Sequence, residues 1–281
     1  MMPSTAGWHG QLQLQYRHDG TRTLCHDSHH GPLRVLQALY PEGPSICHHV
    51  LVHPPGGVVG GDVLDIDVQV ASGAHALVTT AGATRFYRSS GAPAGQHARL
   101  NLADGARLEW LPLETLAYSG CIASNRITLH TAPHAQAMGW EVLALGLPAA
   151  GEPFAAGHFE QQIEVPGRWI ERGVLRAEDT LLRSSPLGLS GQPVLATLWF
   201  VAGSAWASEQ KEALLDAARG AIEASPLAPR AGATSPQPGV LVLRALAGSV
   251  EPAMLLMTAV RAAWRQIAWE LQPNPPRVWR L

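Results

Sequence analysis

The densest run of residues able to shape a site is His53-Pro54-Pro55-Gly56-Gly57-Val58-Val59-Gly60-Gly61-Asp62. Four glycines and two prolines impose an irregular backbone that can pass close to a neighbouring surface, and they leave an imidazole and a carboxylate at its ends. No Gly-Lys-Ser/Thr follows, so the run is not a phosphate loop. Its spacing and the missing crossover helix exclude a dinucleotide fingerprint. A tight structural turn has the same composition, so the residues alone leave both readings open.

A second segment, Thr79 to Ser89, sets Arg85, Tyr87 and Arg88 among several hydroxyls. Two guanidinium groups beside aromatics can clamp a carboxylate or phosphate, and the same residue types also satisfy loop backbone. A third, Leu108 to Thr115, places Glu109 and Glu114 five apart, on opposite sides of an unbroken strand. They converge only if Pro112 bends the chain, and a converging pair could then serve a glycosidase or lyase. Histidine is abundant, with 13 copies, eight of them at or before His53. Cys25-His26 and Cys47-His48-His49 offer thiol and imidazole donors suited to nickel, copper or zinc, at a spacing that matches no structural zinc site.

The elements that must carry these groups are mostly strands. Leu64 to Val70 alternates apolar and polar without a slip, turns at Ser72-Gly73-Ala74, and continues as a strand from His75 to Thr80. The same text recurs around Asp104-Gly105-Ala106, Pro133-His134-Ala135 and Pro166-Gly167. Gly73, Gly105, His134 and Gly167 are separated by 32, 29 and 33 residues, a drifting repeat that predicts stacked hairpin layers, as in a β-helix or solenoid. A β-meander with similar loops gives the same period. Glu109, Glu141 and Glu171 follow their turns by four, seven and four residues, so stacking could align them as an acidic ladder. Carboxylates inside a fold must be hydrated, paired or metal-bound, and the ladder would imply a wet passage or a cation. Exposure to solvent is the competing reading, favoured for Glu141 by its unequal offset.

The last third changes character. Ser208 can cap a helix over about residues 208–224, and a second helix is expected over about 251–271, with Trp264 in its apolar stripe. A Pro-rich loop and a short strand at about 240–247 lie between them. The tail from Pro273 to Trp279 cannot be helix. The expectation is a mainly β chain, stacked and solenoid-type over about 8–205, with two flanking C-terminal α-helices, all in one domain spanning 1–281.

Composition closes off other classes. Gly (28) and Pro (22) are plentiful, 46% of residues are apolar and only 15% charged, so the chain is turn-rich with a large core rather than disordered. A net charge of −2 with Lys211 as the single lysine offers no basic patch for nucleic acid or an acidic membrane. The uncharged stretch from Ser184 to Ser208 is broken by prolines and glycines and reads as buried strands rather than a membrane span. Three cysteines and the absence of a basic-then-apolar N-terminal run point to a reducing compartment, the cytoplasm.

Taken in order, His53 to Asp62, the Thr79 to Ser89 block, Leu108 to Thr115, Gly139-Trp140-Glu141 and the tail Pro275-Pro276-Arg277-Val278-Trp279 resemble the urease accessory protein D family, called H in some bacteria. The resemblance runs from about residue 8 to the C-terminus. Ala81 stands where the family usually has proline, Arg85 where it has lysine, and Leu113 where it has glutamine. The resemblance implies a β-rich scaffold rather than an enzyme. That scaffold would bind the urease structural subunits and, with accessory protein F and the GTPase accessory protein G reached through F, support nickel delivery. No cofactor would be held stably; nickel(II) would pass along a water-filled passage. His53, Asp62, Glu109, Glu114, Glu141 and Glu171 are the expected transient ligands. Gly56, Gly57, Gly60, Gly61, Arg85, Tyr87 and Arg88 are expected to anchor loops or meet partners, and Trp264 and Trp279 to lie where protein F binds. A carboxylate-pair polysaccharide hydrolase or lyase and a His-rich nickel store are the rival expectations.

Overall fold

Four β-turns set the architecture. The N–H groups of Ala74, Ala106, Ala135 and Arg168 donate to the carbonyls of Ala71, Ala103, Ala132 and Val165, each three residues earlier. Gly73, Gly105 and Gly167 occupy the left-handed region that such turns need, at φ of +69°, +68° and +73°. His134 fills the same position without positive φ, and the Asp104 carboxylate of the preceding turn accepts its backbone N–H at 3.0 Å.

The computed structural model describes residues 7–280, so Met1 to Ala6 and Leu281 of the expected domain lie outside the described residues. The chain begins β1 (His9–His18), β2 (Thr23–His30), β3 (Arg34–Val35), β4 (Ile46–Val52), β5 (Val63–Val70) and β6 (His75–Thr80). It continues β7 (Thr84–Phe86), β8 (Ala94–Leu102), β9 (Arg107–Leu111), β10 (Thr115–Ala117), β11 (Ile122–Thr131) and β12 (Gln136–Leu147). Then come β13 (Glu152–Pro153), β14 (His158–Val165), β15 (Trp169–Arg176), α1 (Thr180–Ser184) and β16 (Val194–Ala202). The last elements are α2 (Ser208–Glu223), β17 (Ala231–Gln237), β18 (Val240–Ala247) and α3 (Val250–Trp269).

A seven-stranded sheet runs β15-β14-β11-β8-β5-β1-β2, and an eleven-stranded sheet contains the path β17-β18-β16-β12-β9-β6-β4-β3. The turns after β5, β8 and β11 carry the chain from the first sheet to the second. Strands then pair in parallel with the coil above and below, as β5 with β8 and β6 with β9. The repeat is therefore a β-helix whose turns are corners between sheets. At Pro166-Gly167 the turn instead makes a hairpin within one sheet, because β14 and β15 pair antiparallel and end the stack.

The alternation in β5 turns Leu64, Ile66, Val68 and Val70 into the space between the sheets and leaves Asp65, Asp67 and Gln69 outside. A second core forms between the outer face of the eleven-stranded sheet and helices α2 and α3, around Leu111, Trp140, Phe200, Leu214, Met257 and Trp264. Three boundaries differ from expectation. Ala207 rather than Ser208 holds the cap position of α2, without a side-chain bond. The Pro-rich loop contains an edge strand, β17, whose pairing with β18 shifts register between Thr234 and Gln237 around Pro236, since an edge tolerates a missing donor. The tail ends in a 3-10 turn at Arg277–Arg280.

Candidate functional site

A polar column interrupts the apolar interior between the sheets. Gln96 in β8, Asn125 in β11 and Gln161 in β14 occupy equivalent positions of successive coils, paired Gln96 to Asn125 and Asn125 to Gln161. Each lies on the face that otherwise carries Ala98, Ile127 and Ile163 into the core. Parallel strands stack these amides about 4.8 Å apart. Gln96 Nε2 donates to Asn125 Oδ1 at 3.3 Å, and Asn125 Nδ2 donates to Glu141 Oε2 at 2.5 Å. Glu141 reaches inward from β12 on the opposite sheet, with Thr197 of β16 directly across the ladder from it. Burial pushes the Glu141 carboxyl up to about 8, partly offset by the Asn125 amide.

Cavities flank the column. One of about 360 Å³ is lined by His53, Gly57, Arg85, Gln96 and Trp110, so Gln96 joins it to the column. Another, about 330 Å³, is lined by Gln161, Glu171, Leu195 and Thr197 at the β15 side. Buried polar atoms border this interior: the Nε2 of His53 and the indole N–H groups of Trp110 and Trp199 have no protein partner among the described residues. Burial also lowers the His53 pKa, opposed by the nearby Asp62, so the ring is neutral near pH 7.

The Gly-rich run forms the rim of the first cavity. Gly56 and Gly61 have φ of +80° and +98°, while a Cβ on Gly57 would sit 2.1 Å from the Tyr87 ring and one on Gly60 2.5 Å from Ser89 Oγ. Asp62 is a loop clasp: its carboxylate accepts the N–H of Trp8 at 2.8 Å and of Val59 at 3.1 Å. Tyr87 packs edge-on against Tyr118, and the Arg88 stem lies over Gly120. Arg85 is exposed, its carbonyl accepting the Val58 N–H. Glu114 is half-buried, and its carbonyl accepts the Thr84 N–H.

Glu109, Glu141 and Glu171, expected as one ladder, lie in three separate environments. Glu109 faces the second core, away from Glu141, because it lies on the outer side of β9. There it meets Arg261 at 2.7 Å, Arg265 at 3.3 Å and His75 at 3.3 Å. Burial alone would raise its carboxyl, yet Arg261, His75 and Arg265 hold it well below the usual carboxylate range. Glu171 bonds Arg244 of β18 across the gap between the sheets. Trp264 is fully buried and donates to the Leu214 carbonyl, so it is core rather than a contact surface. Trp279 is docked, donating to Thr79 Oγ1 at 2.9 Å and tilted against Trp140, with the Arg261 guanidinium 5.6 Å from its ring centre.

The sequence profile of the family described as "UreD urease accessory protein" matches residues 9–280. The chain belongs to the UreD family. It is 58% identical over 275 residues to "Urease accessory protein UreD" of Leptothrix cholodnii, covering 97% of this chain and 99% of the relative. It is 59% identical to the protein of the same name from Paracidovorax citrulli and 60% to that of Verminephrobacter eiseniae, in each case over 98% of this chain and 99% of the relative.

Among the N-terminal imidazoles of this UreD chain, His48 and His49 are buried and partnered, whereas His26, His29 and His30 are exposed on β2. Tyr16 Oη lies 2.8 Å from His49 Nδ1, and His48 pairs with Glu42 at 2.8 Å. Burial pushes the Cys25 thiol up to about 12 and the His49 imidazole down to about 4. Among the described residues no three His, Cys, Asp or Glu side chains are arranged to hold a metal ion. The residues that sequence reasoning missed are Gln96, Asn125 and Gln161. Their signal is phase: each is an amide at the inward position of an alternating strand.

Proposed function

We propose that this UreD-family chain is a non-enzymatic urease maturation factor. It binds apo-urease and, with accessory protein F and the GTPase accessory protein G bound through F, supports delivery of nickel(II), which passes through its interior. The observation that carries this reading is the amide column with Glu141, set inside an apolar solenoid and bordered by cavities. Amide oxygens, water and single carboxyls bind a divalent ion weakly, which suits transit, whereas a thiolate cage would trap it. His53 at the rim and Asp62, Glu114, Glu141 and Glu171 along the coils are the proposed transient ligands. Glu109 serves this reading least, because two arginines already neutralise it. That engagement also removes support from a carboxylate-pair hydrolase built on Glu109 and Glu114.

The test is co-production of urease structural subunits and the accessory proteins with wild-type chain, Asn125→Leu or Glu141→Gln. The variants are expected to co-purify with urease while urease nickel content and activity fall several-fold. Full activation by both variants overturns the internal route. Failure of the wild-type chain to associate with urease or raise its activity overturns the maturation role itself.

A further inference from the structure

Arg107 is a half-buried, partly desolvated cation with no carboxylate partner among the described residues. It opens β9 between His75 of β6 and Gln136 of β12, beside the C-terminal end of α3. Its guanidinium lies 5.6 Å from the Trp269 ring centre, and burial lowers its pKa with no carboxylate acting on it. Stacking occupies the face of the group and leaves the in-plane N–H donors free. Among the described residues those donors have no protein acceptor. Arg168, also desolvated, shows how the fold otherwise treats such a group: it donates to Thr131 and to the carbonyls of Ala202, Gly203 and Pro238.

The surrounding charges do not compensate Arg107. Glu109 is matched by Arg261, and Glu42 by Arg265 at 2.8 Å with help from His48 and Asn274. Two buried carboxylates meet two buried arginines, and Arg107 is the surplus. It faces a cavity of about 400 Å³ that His18, Glu42, Gly73, Gly105 and Leu271 also line. Gly73 and Gly105, in exposed left-handed turn positions, line the same cavity, and their backbone N–H groups have no protein acceptor among the described residues. Unpaired amides beside a cation are the components of an anion cradle.

We propose that this cavity is an oxyanion site, in which the Arg107 fork takes a planar two-oxygen group of the carboxylate or bicarbonate class. A guanidinium offers two parallel N–H donors to such a group, which favours it over a spherical anion. The group can come from a free ion or from an acidic side chain of a bound protein. The Glu42 carboxylate in the wall does not oppose this, since its charge is already spent on Arg265.

Calorimetric titration of the full chain with sodium bicarbonate, sodium acetate and sodium chloride separates the sources. Saturable binding of bicarbonate or acetate but not chloride is expected, weakened at least tenfold in Arg107→Gln and less in Arg107→Lys. The exposed Arg99→Gln variant should bind as the wild type. If a protein carboxylate is the occupant, no small ion binds, and Arg107→Gln instead weakens the complex with urease or the accessory proteins at least tenfold while Arg99→Gln does not. Thermal melts establish that the variants are folded, and Arg107→Lys replaces Arg107→Gln if the latter is not. Unchanged anion binding and unchanged complex formation in the Arg107 variants overturn the proposal. Saturable binding of chloride equal to that of acetate overturns it as well.

Discussion

Glu141 is the residue at which burial and polarity conflict most directly. Its carboxyl is enclosed by the solenoid, and a single amide, Asn125, bonds it. A carboxyl raised from its ordinary 4.5 to about 8 binds a proton in the folded chain that the unfolded chain has released. Its contribution is therefore neutral below about pH 4.5, and stability falls as pH rises from there through about 8. Replacing Glu141 by Gln removes the titration and keeps the shape. The variant should melt higher than wild type at pH 8, by an amount of order a few kcal/mol in stability, with the gap closing toward pH 5. Scanning fluorimetry across that range checks it, and parallel melting curves would show that Glu141 is already solvated. Glu141 could be read from sequence as a carboxyl near a turn, but its side of the strand could not, because the offset from His134 does not reveal where β12 begins to pair. Asn125 and Gln161 were legible in principle: each interrupts the apolar phase of its strand, next to Ile127 and Ile163.

Helix α3 is held to the sheet by charge as well as by its apolar stripe. Arg261 and Arg265, one helical turn apart, reach Glu109 and Glu42 and are themselves 1% and 0% exposed. Removing one partner of such a network strands a buried charge, which costs about 3–5 kcal/mol, whereas replacing both by apolar residues can be close to neutral. Arg265→Met should lower the unfolding free energy from urea titrations by that order, and pairing it with Glu42→Leu should recover much of the loss. Equal losses in single and double variants would mean that the ion pair contributes only through packing. The same carboxyls set the acid limit: burial raises Glu42, but His48, Arg265 and Asn274 hold it at about 2. A depressed carboxyl stabilises the fold above its unfolded value near 4.5, and that stability drains as pH falls toward 2. These contacts were invisible in the sequence because Glu42 and Arg265 are 223 residues apart. The turns at Gly73, Gly105 and Gly167 were legible because a turn is local and its backbone demands glycine.

At the scale of the whole molecule, a stacked coil spends its apolar residues on two cores and leaves little charge for its surface. Only 15% of residues are charged, and several large apolar side chains remain bare. Leu181 and Leu187 project from the segment after β15 at 77% and 99% exposure, and Leu255 from the outer side of α3 at 66%. Single exposed leucines are ordinary, but Leu181 and Leu187 lie close together in sequence at the end of the stack, and Leu255 lies on the helix layer. The isolated chain is therefore expected to self-associate increasingly as its concentration rises. Sedimentation velocity over a hundredfold concentration range measures this directly. Leu187→Ser combined with Leu181→Ser should shift the distribution toward monomer without changing the melting temperature, since neither side chain contributes to a core. A monomer at every concentration would assign the low surface charge to the molecule alone, and an unchanged distribution in the double variant would move the self-associating surface away from the β15 end.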